Sequence, residues 1–308
     1  MRVFLIESNI NQMQNRLNFI RGGITVKKFL IWSLLGFVVI SNALFNVIPA
    51  LSFTPEPAIV NPTPGQGDPS VTPRVIVTCS RQDFDLVCGL VGANDTLSYI
   101  WDCPLRYGSW SGKPVTIAGP LIGAPHTVMV MEKLIVLGAR MILYFGYTGS
   151  LHSDVKIGDL MVPTSAVSGE GTSKHYYPEI YPPIPDAHLV NLLNLALSGV
   201  TTPTHHGAVW SNDAIYRETV TLVQSYQNLG VKGVDMEMSA FFTVGKYRQV
   251  AVAGLLAVSD ELFTYTWNPG FNTPIFQEAR NLAARAVLDA AAAWNPPANV
   301  PPLYLFWE

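Results

Sequence analysis

Strand-length apolar runs alternate with stretches of helical period along most of this chain, and that alternation is its strongest constraint. RVIVTC (74–79), PVTIAGP (114–120), ARMILYFGYTGSL (139–151), IGDLMVPTSAV (157–167) and VAVAGLLAVSD (250–260) are strand candidates. They are nearly continuous in apolar or β-branched residues, as strands buried on both faces are. LSYIWDCPLRYGSWSG (97–112) reads as a hairpin. Between and after these lie helical patterns: APHTVMVMEKLIVLG (124–138), DAHLVNLLNLAL (186–197), DAIYRETVTLVQSYQNLG (213–230) and IFQEARNLAARAVLDAAAAW (275–294). An Asp stands near the start of the second and third, where a side chain can cap free N–H groups. Pro296 and Pro297 stop the last. The expected architecture is a three-layer α/β/α domain with a central mixed, twisted sheet covered on both faces.

This pattern occupies residues 74–295 of the 308. What precedes it differs. Lys27 and Lys28 introduce a run without charge from Phe29 to Phe53, with small residues at Ser41, Ala43, Ala50 and Ser52. A basic start, an apolar centre and small residues at its end read as a signal peptide over 26–52, or as a membrane anchor if the run is retained. Export to the periplasm or the extracellular space, or anchoring to a membrane, is the matching expectation. Residues 1–25 read as a mis-assigned start region, 53–73 as a Pro/Gly-rich linker, and 296–308 as a C-terminal tail. The net charge of −3 shows no basic excess and gives no pointer to nucleic acid. The three cysteines, Cys79, Cys88 and Cys103, have no metal-ligand spacing. Cys88 and Cys103 could pair in an exported protein, or stay buried and inert.

Chemistry in such sheets gathers beyond the strand ends. Thr148, Glu170 and Asp260 fall there. Asp260 follows an apolar strand, so its carboxyl is a candidate for partial desolvation, a raised pKa and proton donation; capping a turn or pairing with an arginine is the alternative. In GVDMEMSAFF (233–242), Glu237 stands where a strand gives way to a helix. Its two oxygens match the paired hydroxyls of a ribose, and capping the helix is the alternative.

Taken together, VDMEMSAFF, AVSDEL about twenty residues later, KIGDL, EGTSKHYY and the long block from Gly123 resemble the nucleoside phosphorylase family. That family comprises purine and uridine phosphorylases and the methylthioadenosine/adenosylhomocysteine nucleosidases. The resemblance implies cleavage of a nucleoside N-glycosidic bond through a ribosyl cation-like transition state. It makes Glu237 the ligand of the ribose hydroxyls and Met236 its packing partner. It makes Asp260, after Ser259, the proton donor to N7 of a purine, and Tyr176 the ring stacked on the base. Thr148, followed by Gly149, lies near the ribose and the acceptor. Asp235 matches the first acid of the motif and is expected to be structural; His175 carries no assigned chemistry. Homo-oligomers are implied, with phosphate as a possible co-substrate and neither metal nor organic cofactor.

The phosphate site departs from the family's. Its Gly-rich first loop is here TCSRQDFD, and its arginine and threonine positions are Tyr144 and Tyr147. Arg81 is the tentative substitute, with Arg106 and Arg217 behind it; Asp83 or Asp85 could orient a water instead. Phosphorolysis and hydrolysis both stay open. So does a non-catalytic nucleoside-binding or storage protein on the same fold, which plant bark and vegetative storage proteins resemble.

Overall fold

The computed structural model describes residues 57–177 and 182–296. The segments read above as start region, signal peptide or anchor lie outside these, as does the tail beyond Pro296.

The elements run in the expected alternation: β1 (Arg74–Thr78), α1 (Arg81–Leu90), β2 (Ser98–Ile100), β3 (Cys103–Trp110), β4 (Lys113–Ala118), α2 (Ala124–Val136), β5 (Met141–Ser150), β6 (Leu160–Gly169), α3 (Ala187–Ala196), β7 (Thr204–Asn212), α4 (Val220–Asn228), β8 (Gly233–Asp235), α5 (Met238–Tyr247), β9 (Ala251–Glu261), β10 (Asn268–Pro269) and α6 (Pro274–Ala293). They form a ten-stranded sheet in the order β10-β9-β6-β7-β8-β5-β1-β4-β3-β2. An extra pairing of β9 with β5 closes five of these strands on themselves. The sheet is mixed: β1 runs parallel to β4 and β5, while β3 and β4, or β6 and β9, are antiparallel.

Period-two alternation sorts the strand residues onto two faces. Val75 and Val77, with Ile142 and Tyr144, join the core cluster that includes α2 and α5. Ile76, with Met141, Leu143 and Phe145, joins the cluster under α1, α3 and α6. These are the expected three layers.

Three local readings change. TCSRQDFD is not a loop beyond Ser80: Ser80 caps α1 by accepting from the Asp83 N–H, and the chain turns helical at Arg81. The helix expected from Asp213 starts instead at Val220, capped by Thr219. Asp213 accepts a bond from the Gly171 N–H, and Ile215–Arg217 forms a single 3-10 turn. Strand β7 carries His205, His206 and Gly207 at its partly exposed start, which hid it in the sequence. All three cysteines are free thiols.

One buried ion pair ties α1 to α6. Arg280 donates to Asp83 Oδ1 at 2.8 Å, and the two side chains are 7% and 0% exposed. Breaking such a pair strands a charge in the interior. Arg280→Met is therefore expected to cost about 3–5 kcal/mol of unfolding free energy, measured as a fall in the urea midpoint; a variant unfolding where the wild type does would contradict this.

Candidate active site

A cavity of about 580 Å3 opens where β1, β5, β8 and β9 end, within the size of small-molecule sites. Thr148, Gly149, Met236, Glu237, Ser259 and Asp260 all line it. Residues from three separate stretches of sequence thus meet at one site. Tyr176 and Arg81 are not among its lining residues.

The turn from β8 into α5 builds the acidic end. Asp235 closes β8, and its two oxygens are engaged: Ser211 Oγ donates to Oδ1 at 2.6 Å and the Met238 N–H to Oδ2 at 2.8 Å. Asp235 therefore satisfies the first turn of α5, which is the structural role expected of it. Glu237 is left with no cap to make. Its carboxylate turns away from the helix and accepts from the Gly123 N–H at 2.7 Å and the Met236 N–H at 3.3 Å. Gly123 holds φ at 77°, where glycine is at ease, so the loop before α2 can present its N–H to the acid. Glu237 is only 6% exposed. Burial, then the neighbouring Asp235, pushes its carboxyl well above the usual range, and the Gly123 and Met236 N–H groups pull the other way.

A one-residue bulge positions the second acid. In the β5–β9 ladder Thr148 pairs with Val258 but Gly149 pairs with Asp260, so Ser259 is the extra residue. Bulges of this kind re-aim side chains beside functional sites. Asp260 is held by Ser259 Oγ at 2.6 Å and by Trp267 Nε1 at 2.9 Å. Its carboxyl is raised by burial, against both of these bonds. It neither caps a turn nor meets an arginine among these bonds. A Cβ on residue 149 would lie 2.6 Å from Leu262 Cδ1 and 3.1 Å from Asp260 Oδ2, which explains the glycine. The Thr148 hydroxyl gives its proton to the Val234 carbonyl at 3.0 Å, leaving it an acceptor toward a ligand.

Two expected residues stand elsewhere. Tyr176 packs its ring edge-on against Tyr247, centroids 5.2 Å apart. The cause is Glu170, whose carboxylate takes the Thr172 and Ser173 N–H groups and the Ser239 hydroxyl. That fixes the turn before Tyr176 against α5. Arg81 points outward and pairs with Asp85 at 2.9 Å, both exposed, one helical turn apart. Asp85 is thus spent on the surface, and Asp83 is sealed under Arg280. Arg106 donates to the Asn94 carbonyl, and neither it nor Arg217 lines the cavity.

The side of the cavity formed by β1 and β5 carries hydroxyls. Tyr147 Oη lies 3.0 Å from Ser80 Oγ, which donates to Asp83 Oδ2 at 2.6 Å. Tyr144 is fully buried and donates to the Leu121 carbonyl at 2.9 Å. Among the described residues that line the cavity there is no Lys, Arg or His, while Asp235, Glu237, Asp260 and Glu218 are all acidic. Glu218 and Trp267 were not singled out in the sequence. The helical pattern hid Glu218, and nothing before the fold places Trp267 beside Asp260.

This arrangement has known counterparts. The profile of the phosphorylase superfamily matches residues 73–292, and the chain belongs to that family. Over 196 residues it is 27% identical to a guanosine phosphorylase of Halorubrum lacusprofundi, covering 64% of this chain and 76% of the relative. It is 30% identical over 159 residues to a DeoD-type purine nucleoside phosphorylase of Jannaschia sp., covering 51% and 68%. A uridine phosphorylase of Vibrio fischeri, solved with 6-hydroxy-1-naphthoic acid, superposes with a TM-score of 0.66 at 28% identity, covering 73% and 93%. The purine nucleoside phosphorylase of Toxoplasma gondii with immucillin-H shares the fold, with a TM-score of 0.67 at 24% identity over 72% and 91%.

Proposed function

We propose that this chain cleaves the N-glycosidic bond of a purine nucleoside and transfers the ribosyl group to water. The observation that carries the reading is the meeting of Glu237 and Asp260 in one cavity with no cation among the described residues that line it. Glu237 grips the 2′- and 3′-hydroxyls and faces the positive charge that grows on the sugar. Asp260 supplies the proton that lets the base leave as a neutral molecule. Ser80 and Tyr147 offer hydroxyls to a water at the acceptor end. Phosphate fits poorly there: charge-assisted hydrogen bonds are worth about 1.5–3 kcal/mol each, and the described lining supplies no cation to make them. The reaction needs no metal or organic cofactor. Phosphorolysis is the second reading, since the relatives above are phosphorylases.

Base release from inosine, guanosine, adenosine, methylthioadenosine and uridine, with and without inorganic phosphate, separates these. The expected result is purine release at the same rate in both conditions, with free ribose as product. Release that requires phosphate and yields ribose 1-phosphate would replace the first reading by the second. No release from any nucleoside would leave a binding or storage protein.

A further inference from the structure

Glu218 lines the cavity and has no part in the reading above. It follows the 3-10 turn after β7, half-buried, and lines the same cavity as Asp260. The two carboxyls are held differently. Asp260 receives two donated bonds, from Ser259 and Trp267, which favour its ionised form. Glu218 has the Asn212 side chain as its polar support. The other titratable side chains lining the cavity are Asp235 and Glu237 at the β8–α5 turn, Cys79 after β1, Tyr147 on β5 and Tyr216 beside Glu218. None is a cation, so nothing in the lining favours two carboxylates side by side. Two interacting acids in such a lining titrate as a pair, and one proton shared between them relieves their repulsion.

We infer that Glu218 is the proton store of the base end: in the free protein the shared proton rests on Glu218, and it reaches the departing base through Asp260. This rests on the cleavage reading of the same cavity. As the C1′–N bond breaks, its electron pair stays with the base. Asp260 takes up the one proton held by Glu218 and delivers it to the ring nitrogen. The attacking water forms the C1′–O bond and releases one proton, which restores the pair through solvent. Glu218 acts through Asp260 and is therefore a positioning residue for the proton. Consistently, burial and then the Asp260 charge raise its carboxyl to about 7.

The test is Glu218→Gln, read in two ways. The first is the infrared carbonyl band of protonated carboxyl in the free protein, titrated from pH 5 to pH 9. The wild type is expected to hold one protonated carboxyl, beyond those of Asp235 and Glu237, that ionises near neutrality, and the wild-type-minus-variant difference spectrum to isolate it. The second is the pH profile of kcat/KM for purine release. Removing the like charge lets Asp260 ionise earlier, so the alkaline limb is expected to move at least one pH unit downward. The loss at pH 8 is expected to be at least tenfold greater on the nucleoside than on 4-nitrophenyl riboside, whose leaving group needs no proton. A difference spectrum with no neutral-range carboxyl band, or an alkaline limb in the same place, overturns the inference. A wild type that releases no base from any nucleoside removes the cleavage reading, while the infrared band still decides where the proton rests.

Discussion

Glu237→Gln is expected to lower kcat/KM for base release by about a thousandfold, and at the same time to make the folded protein more stable at alkaline pH. The two effects have one origin. Glu237 is a buried carboxylate with another acid, Asp235, beside it and no cation in the cavity lining. Holding a negative charge there favours a transition state in which the sugar turns positive, and removing one preorganised electrostatic partner costs about 10²–10³ in rate. Loss of the paired contact with the ribose hydroxyls adds to that. The charge is unfavourable for the empty protein, because burial and Asp235 raise its pKa above the unfolded value. The sign follows directly. A carboxyl with a raised folded pKa binds its proton more tightly when folded. Stability is then lost as pH rises from the unfolded value, about 4.3, through the folded one. Gln carries no such penalty. The gap between variant and wild type in urea midpoint should therefore widen in the variant's favour above pH 5 and level off in the alkaline range. Reduced activity with an unchanged or lower midpoint at pH 8 would mean that Glu237 is a structural acid.

That pairing of strain and function also explains what the sequence reveals and what it hides. The alternation of buried strands and helices is legible because β1, β5 and β9 are apolar almost throughout. Glu237 and Asp260 are legible because each interrupts an apolar run, and a carboxyl there needs a reason. Tyr176 and Arg81 fail for local reasons that a linear reading cannot weigh. The turn before Tyr176 is claimed by Glu170, and Arg81 lies on the outer face of a helix whose cap, Ser80, looked like part of a loop. Glu218 is hidden because the helix from Asp213 reads as continuous, while the chain stays irregular until Thr219 caps it. Asp260, which lines the same cavity, lies more than forty residues further along the chain. The bulge at Ser259 has no sequence signature at all: it exists only as a mismatch of register between two strands.

The bulge leads to the second large effect. Asp260→Asn is expected to lower kcat for purine release by about 10²–10⁴-fold, the range for loss of a general acid, with KM changed by less than about threefold because Asn fills the same space. The side chain keeps its place. Asn retains an oxygen to accept from Trp267 Nε1 or from Ser259 Oγ, and Gly149 still leaves room beneath it. What Asn cannot do is give up a proton at neutral pH. The loss should therefore track the basicity of the leaving group. It should be largest for inosine or adenosine and smallest for 4-nitrophenyl riboside, whose anion departs unaided. A uniform loss across both would mean that Asp260 only shapes the cavity. Full activity of Asp260→Asn on purine nucleosides would move the proton to another group; Glu218, another acid of the lining, would then have to reach the ring itself. The double variant Glu218→Gln, Asp260→Asn separates these outcomes. If the proton passes through Asp260, the second substitution adds little to the first, because both sit on one path. If each acid serves the base independently, the two losses multiply.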